Sequence, residues 1–471
     1  MTATVSEHRL LIGGRQVETG EWVDVRSPYS GEIVGRVAKG GAAEARQALD
    51  AAATALESPI PAFERAAILD RVAHLIEERS EDLAGTISAE AGKPLKTARV
   101  EAQRAASTYT FAAVEARKLS GETVPMDASA AGVGKLAFTL RLPIGVIGAI
   151  SPFNFPANLV AHKIAPALAA GCPVVLKPAS STPLSALFLA NLEVEAGLPP
   201  GWVNVVVGSA GAIGDEIVAD ERVKLITFTG SGGVGWNLAE RAHTKRVKLE
   251  LGNATPAIVC ADAPEDTAAK LAANAFSFAG QSCISVQRIF VLADRWDSFV
   301  ADFVPRVEAL KVGDPADEDT DVGPVINEGE RDRIVSWIHE TKGDVLTGGE
   351  VTDGLIRPTV IANPSPEDKV SCDEIFGPVV SLYRVASLDE AIERANETRY
   401  GLQAAVFTAD LKSALRAARE LEFGGVTVNE APTFRADQMP YGGVKASGNT
   451  KEGPAWTVRE MTEERLVILQ L

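Results

Sequence analysis

Two α/β domains carrying a small β arm are what this 471-residue chain predicts. Three observations lead there. From about residue 140, short apolar runs alternate with helical stretches, as buried parallel strands alternate with their crossover helices. A second series of the same kind begins near Glu250. Two further strand-like segments, 135–142 and 464–471, belong to neither series.

Taken in order, residues 42–120 are rich in Ala, Glu and Arg and show helical periodicity, clearest across 65–78. The runs 145–150, 173–176, 203–207 and 225–228 read as buried parallel strands, with helical segments such as 184–195 between them. Alternation of this kind gives a doubly wound, Rossmann-like domain, drawn from residues 1–119 and 143–248. The second series, with strands at 256–260, 289–292, 379–383 and 425–429, gives an α/β domain over 249–442. The two meet near Lys248 to Gly252, and sites favour such junctions. Segments 120–142 and 443–471 make the arm. An apolar C-terminal strand left open invites aggregation, so it is expected to pair across a subunit boundary in a homodimer or homotetramer. The competing expectation is a strand covered within its own chain.

Composition narrows the function. With 46% hydrophobic residues the chain fills more than one core, and a net charge of −17 argues against nucleic acid or an anionic membrane as partner. The four cysteines (Cys172, Cys260, Cys283, Cys372) form no CxxC pair, so neither a disulfide framework nor a metal site is expected. Residues 1–9 lack the layout of a signal peptide, and no apolar run is long enough to span a bilayer. A reducing cytoplasm is the expected location, where Cys283 stays a free thiol.

The run from Phe276 to Cys283 reads as a helix brought to a glycine stop, leaving a thiol on the turn beyond. A thiol so placed suits nucleophilic catalysis, although a lone cysteine more often serves as a small buried hydrophobe. Five other motifs bear on it. Ser151-Pro-Phe-Asn-Phe-Pro156 follows a buried strand, and Asn154 has an amide suited to an oxyanion or, equally, to capping its own turn. Lys177, before Pro178 and Ser180, ends another strand, where a nucleotide ribose or phosphate would sit if the lysine is not merely solvated. Phe228-Thr-Gly230-Ser231 opens a glycine-rich turn into a helix, though not with the usual dinucleotide spacing. Glu250, between two leucines, reads as a partly desolvated general base or as a surface glutamate on a strand. Glu374-Ile-Phe376-Gly-Pro378 pairs an acid with an aromatic in a loop.

In this order, and with Pro440-Tyr-Gly-Gly-Val-Lys-Ala-Ser-Gly448 near the C-terminus, the motifs resemble the aldehyde dehydrogenase superfamily along nearly the whole chain. The resemblance implies NAD(P)-dependent oxidation of an aldehyde to a carboxylic acid. In it Cys283 is the nucleophile, Asn154 and the Cys283 N–H hold the oxyanion, and Glu250 activates the water that hydrolyses a thioester. It further implies that Lys177 and Glu374 hold the two riboses, that Phe376 packs beside the nicotinamide, and that Ile150, Ser151, Pro152, Phe153, Gly211, Phe228, Gly230, Ser231 and Leu251 line the cofactor. Many NAD-preferring members have a glutamate where this chain has Ser180; a small hydroxyl there admits a 2′-phosphate, so NADP is favoured over NAD. Phe155, Ser282, Ile284, Phe434 and Arg435 are expected around the aldehyde. If Arg435 faces the substrate, a short anionic or hydroxylated aldehyde follows: a semialdehyde, lactaldehyde or glyceraldehyde 3-phosphate; the competing reading of Arg435 is a surface salt bridge with Asp437 or another acid. If Phe153, Phe155 and Phe434 form a wall, an aromatic aldehyde competes. A catalytically silent dinucleotide-binding member is the remaining reading.

Overall fold

The structure, a computed structural model, describes residues 5–471. Two seven-stranded sheets organise it. In the first the order is Arg246–Glu250, Val223–Thr229, Val146–Ile150, Val174–Lys177, Val203–Val205, Leu10–Ile12 and Arg15–Val17. The first five strands are parallel, and a short N-terminal hairpin closes the edge antiparallel. That hairpin carries too few residues to show strand periodicity, and the sequence reading did not mark it.

The strand order reverses beside Val146–Ile150, because the chain runs first to Val174–Lys177 on one side and later to Val223–Thr229 on the other. A crevice opens at the carboxyl ends of strands where such a reversal occurs. The loop bearing Asn154 leaves from Val146–Ile150 and that bearing Gly230 from Val223–Thr229. The helix Asn158–Ala170 is buried at all 13 positions and ends at Gly171 in the left-handed region (φ 86°). Its neighbour Leu95–Lys118 presents an alanine stripe (Ala98, Ala102, Ala105, Ala112), which permits close helix approach.

The second sheet runs Asp344–Thr347, Thr359–Ala362, Val379–Val385, Val286–Leu292, Thr255–Val259, Gln403–Phe407 and Gly425–Val428. Only Asp344–Thr347 is antiparallel. Arg246–Glu250 is the edge of the first sheet and Thr255–Val259 lies inside the second, so Glu250 sits at the passage between them.

The arm is a three-stranded sheet. Thr462–Gln470 pairs antiparallel with the full length of Lys135–Pro143, and Thr123–Val124 covers the other side of that strand. The C-terminal strand is thus paired within its own chain along one edge, while among the described residues its second edge carries no partner strand. Leu466 and Ile468 on it are half exposed (51% and 50%).

One local expectation changes. The helix before the thiol, Thr267–Ala275, ends earlier than a glycine stop at Gly280 would place it. Phe278 (φ 50°), Ala279 (φ 50°) and Gly280 (φ 70°) then pass together through the left-handed region. Side chains rarely adopt that conformation, so the passage must be held from outside. Gln281 does this with a buried amide: Nε2 donates to the carbonyls of Phe278 (3.3 Å) and Pro324 (3.2 Å), and Oε1 accepts from the Ile326 N–H (2.8 Å). A Cβ on Gly280 would lie 2.1 Å from the Gly377 oxygen, so this position must be glycine.

Candidate active site

A cavity of about 550 Å³ occupies the crevice. Asn154, Glu250 and Cys283 line it together with Ile150, Ser151, Pro152, Phe153, Lys177, Ser180, Phe228, Gly230, Ser231, Leu251, Glu374 and Phe376. Gly211, in the first turn of the helix Ala210–Ala219, is outside this lining.

The loop 281–283 and the loop 151–156 are tied together by one bond, from Asn154 Nδ2 to the Gln281 carbonyl (2.9 Å). Lys93 Nζ donates to the Asn154 backbone carbonyl (2.7 Å) and pairs with Glu101, both buried, while Glu101 Oε1 accepts from the Ala157 and Asn158 N–H groups at 3.0 and 3.2 Å. Asn154 is therefore fixed on both sides, and one amide hydrogen is left to face the cavity. Cys283 Sγ lies 2.8 Å from the Tyr441 hydroxyl. Burial pushes its thiol up to about 12, with Glu374 and Glu250 adding to the rise and Tyr441 and Arg435 opposing it.

Glu250 is 3% exposed, and neither carboxylate oxygen has a hydrogen-bond partner. Burial first, then the nearby Glu452, raises it well above the usual carboxylate range, against the pull of Arg435, Lys163 and Lys451. A Cβ on Gly442 would come within 2.5 Å of Glu250 Oε1, so the glycine of the C-terminal signature makes room for this carboxylate. An unpartnered, desolvated carboxylate beside a thiol is equipped to take a proton from water near neutral pH.

Across the cavity, Glu374 Oε1 accepts from the Asn253 N–H (3.0 Å), leaving Oε2 for a donor such as a ribose hydroxyl. Burial pushes it up to about 7, against Asn253, Arg333 and Arg399. Phe376 sits edge-on to Phe153, with ring centroids 5.8 Å apart. Lys177 Nζ donates to the Pro178 carbonyl (3.0 Å), and Ser180 Oγ to the Gly208 carbonyl (3.0 Å). The helix Gly232–Arg241 begins at Ser231, and a Cβ at Gly232 or Gly233 would meet nothing, so the turn leaves open space at a helix N-terminus. The lining thus fits a dinucleotide: an N-terminal helix end for the diphosphate, hydroxyl and lysine donors at one end, and a free carboxylate oxygen at the other.

The five residues expected around the aldehyde have separate surroundings. Phe155 lies under the Lys93 ammonium (3.8 Å), Ser282 and Ile284 flank Cys283, and Phe434 is 52% exposed. Arg435 is only 6% exposed at its side chain; Nη2 donates to Glu452 Oε2 (3.0 Å), so its charge is paired. Its partner is Glu452 and not Asp437, which instead binds Arg104 (2.9 Å), Asn158 (3.1 Å) and His162 (3.1 Å).

Sequence reasoning missed this buried network. Lys163 Nζ bonds the hydroxyls of Thr227 (3.2 Å) and Thr229 (2.7 Å) and approaches Glu452 Oε1 (3.4 Å). Burial would raise Glu452, but Lys163 and Arg435 outweigh it and hold this carboxyl below its usual range. A signal was present: Lys163, beside His162, interrupts a mostly apolar helix, and a lysine buried in such a helix needs an acid. Among the described residues no group of three or more metal-binding side chains occurs, and no helix is long and apolar enough to cross a membrane.

The aldehyde dehydrogenase family model matches residues 15–467. The chain is 41% identical over 471 residues to the 3-sulfolactaldehyde dehydrogenase of Priestia megaterium, covering 99% of each. It is 39% identical over 466 residues to the lactaldehyde dehydrogenase of Methanocaldococcus jannaschii, covering 96% of this chain and 99% of that one. Among solved structures, aldehyde dehydrogenase 21 from Physcomitrella patens in complex with the reaction product succinate superimposes with a TM-score of 0.96 at 39% identity, over 99% of both chains. The NADP-dependent glyceraldehyde-3-phosphate dehydrogenase of Bacillus halodurans, complexed with NADP, does so with a TM-score of 0.95 at 37% identity, over 99% of both chains.

Proposed function

The chain belongs to the aldehyde dehydrogenase family, and from that premise we propose that it oxidises a short hydroxylated or anionic aldehyde to its carboxylic acid with NADP. One observation carries the reading: a thiol, an anchored amide and an unpartnered carboxylate line the same cavity as a dinucleotide-fitting loop set.

In this reading the Cys283 thiolate attacks the aldehyde carbon, forming a C–S bond and an oxyanion. The free amide hydrogen of Asn154 and the Cys283 N–H are the donors for that oxyanion, fixed in advance so that no reorganisation is needed as charge develops. When bound, the nicotinamide supplies the hydride acceptor that converts the adduct to a thioester. Glu250 then takes a proton from water, the hydroxide adds to the thioester carbonyl, the C–S bond breaks, and Cys283 leaves as thiolate. The base at Glu250 supports deacylation by water over transfer to a thiol acceptor.

NADP is favoured at the adenosine end because Lys177 is joined there by Ser180 and Ser181, and the loop 178–182 carries no carboxylate to repel a 2′-phosphate. Two considerations support a short polar aldehyde as the substrate. The relatives named for lactaldehyde, 3-sulfolactaldehyde and glyceraldehyde 3-phosphate share a hydroxyl next to the aldehyde. Of the three phenylalanines that an aromatic ring would pack on, Phe153 lines the cavity while Phe155 and Phe434 are not in its lining. The Arg435 charge is paired to Glu452 and that of Arg104 to Asp437, so the two arginines near this loop are both committed to buried acids. The free second edge of the C-terminal strand, with its exposed leucines and isoleucine, suits pairing between subunits of a homodimer or homotetramer.

The test is a comparison of kcat/KM for NADP and NAD across lactaldehyde, glyceraldehyde 3-phosphate, succinic semialdehyde and benzaldehyde. At least about a tenfold advantage of the short polar aldehydes over benzaldehyde, and of NADP over NAD, is expected. Benzaldehyde as the best substrate, or no cofactor reduction with any aldehyde despite tight dinucleotide binding, would overturn the reading.

A further inference from the structure

Cys283, Tyr441 and Arg435 form a stack in which each side chain touches the next. Tyr441 Oη is 2.8 Å from Cys283 Sγ, and the Arg435 guanidinium carbon is 3.9 Å from the centre of the Tyr441 ring. Tyr441 is 3% exposed and the Arg435 side chain 6%. Arg435 is held in place from behind by Glu452 (3.0 Å). None of the steps above uses either residue.

We propose that Tyr441 is a positioning residue for the nucleophile: its phenol O–H holds the Cys283 sulfur and stabilises the thiolate, and Arg435 strengthens that donor through the ring face. The inference does not depend on which aldehyde is the substrate. With a neutral thiol either atom can donate, but a thiolate only accepts, so the phenol must then be the donor. Hydrogen bonds to a charged acceptor are roughly twice as strong as neutral ones, and the buried setting enlarges the effect.

The charged groups around the thiol make such help necessary. Glu250 and Glu374 both disfavour a thiolate, with Lys163 and Lys451 countering only the first, while Glu452 spends its charge on Arg435 and Lys163. Tyr441 and Arg435 are the groups that work in the thiolate's favour. Tyr441 keeps its own proton, since burial and then the thiol's charge raise it well above the usual phenol range against Arg435. It therefore acts as a donor and not as an acid. Arg435 is attracted to the negative face of the ring, and positive charge there makes the phenol O–H a better donor.

The experiment uses the full-length protein without substrate and follows alkylation of Cys283 by iodoacetamide against pH, read by peptide mass. Tyr441→Phe keeps the ring and the stack and removes only the hydroxyl. The alkylation profile is expected to move up by about one pH unit, so that the rate near pH 8 falls about tenfold. Arg435→Lys keeps a charge for Glu452 but gives up the flat stack. It is expected to move the profile the same way by less, and to add no further shift when combined with Tyr441→Phe. An unchanged profile in Tyr441→Phe overturns the proposal. A shift from Arg435→Lys that is as large without the hydroxyl as with it overturns the part assigned to Arg435. Dinucleotide binding, which uses neither residue, is expected to be unchanged in both variants and reports that each has folded.

Discussion

Two buried glutamates close to each other are driven in opposite directions, and this separates their roles. Glu452 has Lys163 and Arg435 as partners and is kept ionised, whereas Glu250 has no bonded partner and is raised. Pairs of carboxylates pushed apart in this way divide into a structural anion and a group free to exchange protons. The same residue-level logic applies to Ser180. Ser180→Glu would set a carboxylate beside Lys177 at the adenosine end, and the ratio of kcat/KM for NADP over NAD is expected to fall by about tenfold or more. An unchanged ratio would show that specificity is set elsewhere. Cys283→Ala is expected to abolish aldehyde oxidation while dinucleotide binding, measured by fluorescence titration, survives; oxidation above background would remove the thiol from the mechanism.

Helices tie the N-terminal region to the first sheet through buried polar contacts. Tyr109 on Leu95–Lys118 donates to Glu193 on Leu184–Glu195, inside the core. Burial pushes the Glu193 carboxyl from 4.5 up to about 8, only partly offset by Tyr109. The folded value lies above the unfolded one, so the stability this group contributes is complete below about pH 4.5 and is lost as pH rises through about 8. Glu193→Gln keeps an acceptor for Tyr109 and removes the titration. Parent and variant are expected to melt alike near pH 5, with the variant gaining on the order of 1 kcal/mol per pH unit up to about pH 8. A difference independent of pH would contradict this. At this scale the parallel strands were legible because a strand buried on both faces is nearly continuously apolar: 145–150 and 173–176 are wholly so, and 225–228 is broken only by Thr227. The edge hairpin at residues 10–17 and the left-handed passage at Phe278 and Ala279 were not, since the first is too short for a period and the second is held by Gln281 through Pro324 and Ile326, far along the chain.

For the whole molecule, the motif residues Asn154, Lys177, Glu250, Cys283 and Glu374 come from widely separated places in the chain and line one cavity. Each sits on a loop or strand end that sequence reading had marked. What reading could not supply was which charges cancel: Arg435 suited a substrate or an acid equally, and the acid that holds it, Glu452, is 17 residues away. The exposed C-terminal strand belongs to the same scale. Deleting 464–471 is expected to reduce the assembly seen by light scattering, because it removes the strand that offers an unpaired edge; an unchanged mass would assign assembly to another surface. The central claim, that Cys283 carries the acyl group and Glu250 releases it, is tested most directly by mixing Glu250→Gln with lactaldehyde and NADP and following both absorbance at 340 nm and the mass of the Cys283 peptide. The account predicts about one equivalent of NADPH in a burst, an acyl adduct on Cys283, and later turnover slowed by about a hundredfold or more. Full steady-state turnover, or cofactor reduction with no adduct on Cys283, would contradict it.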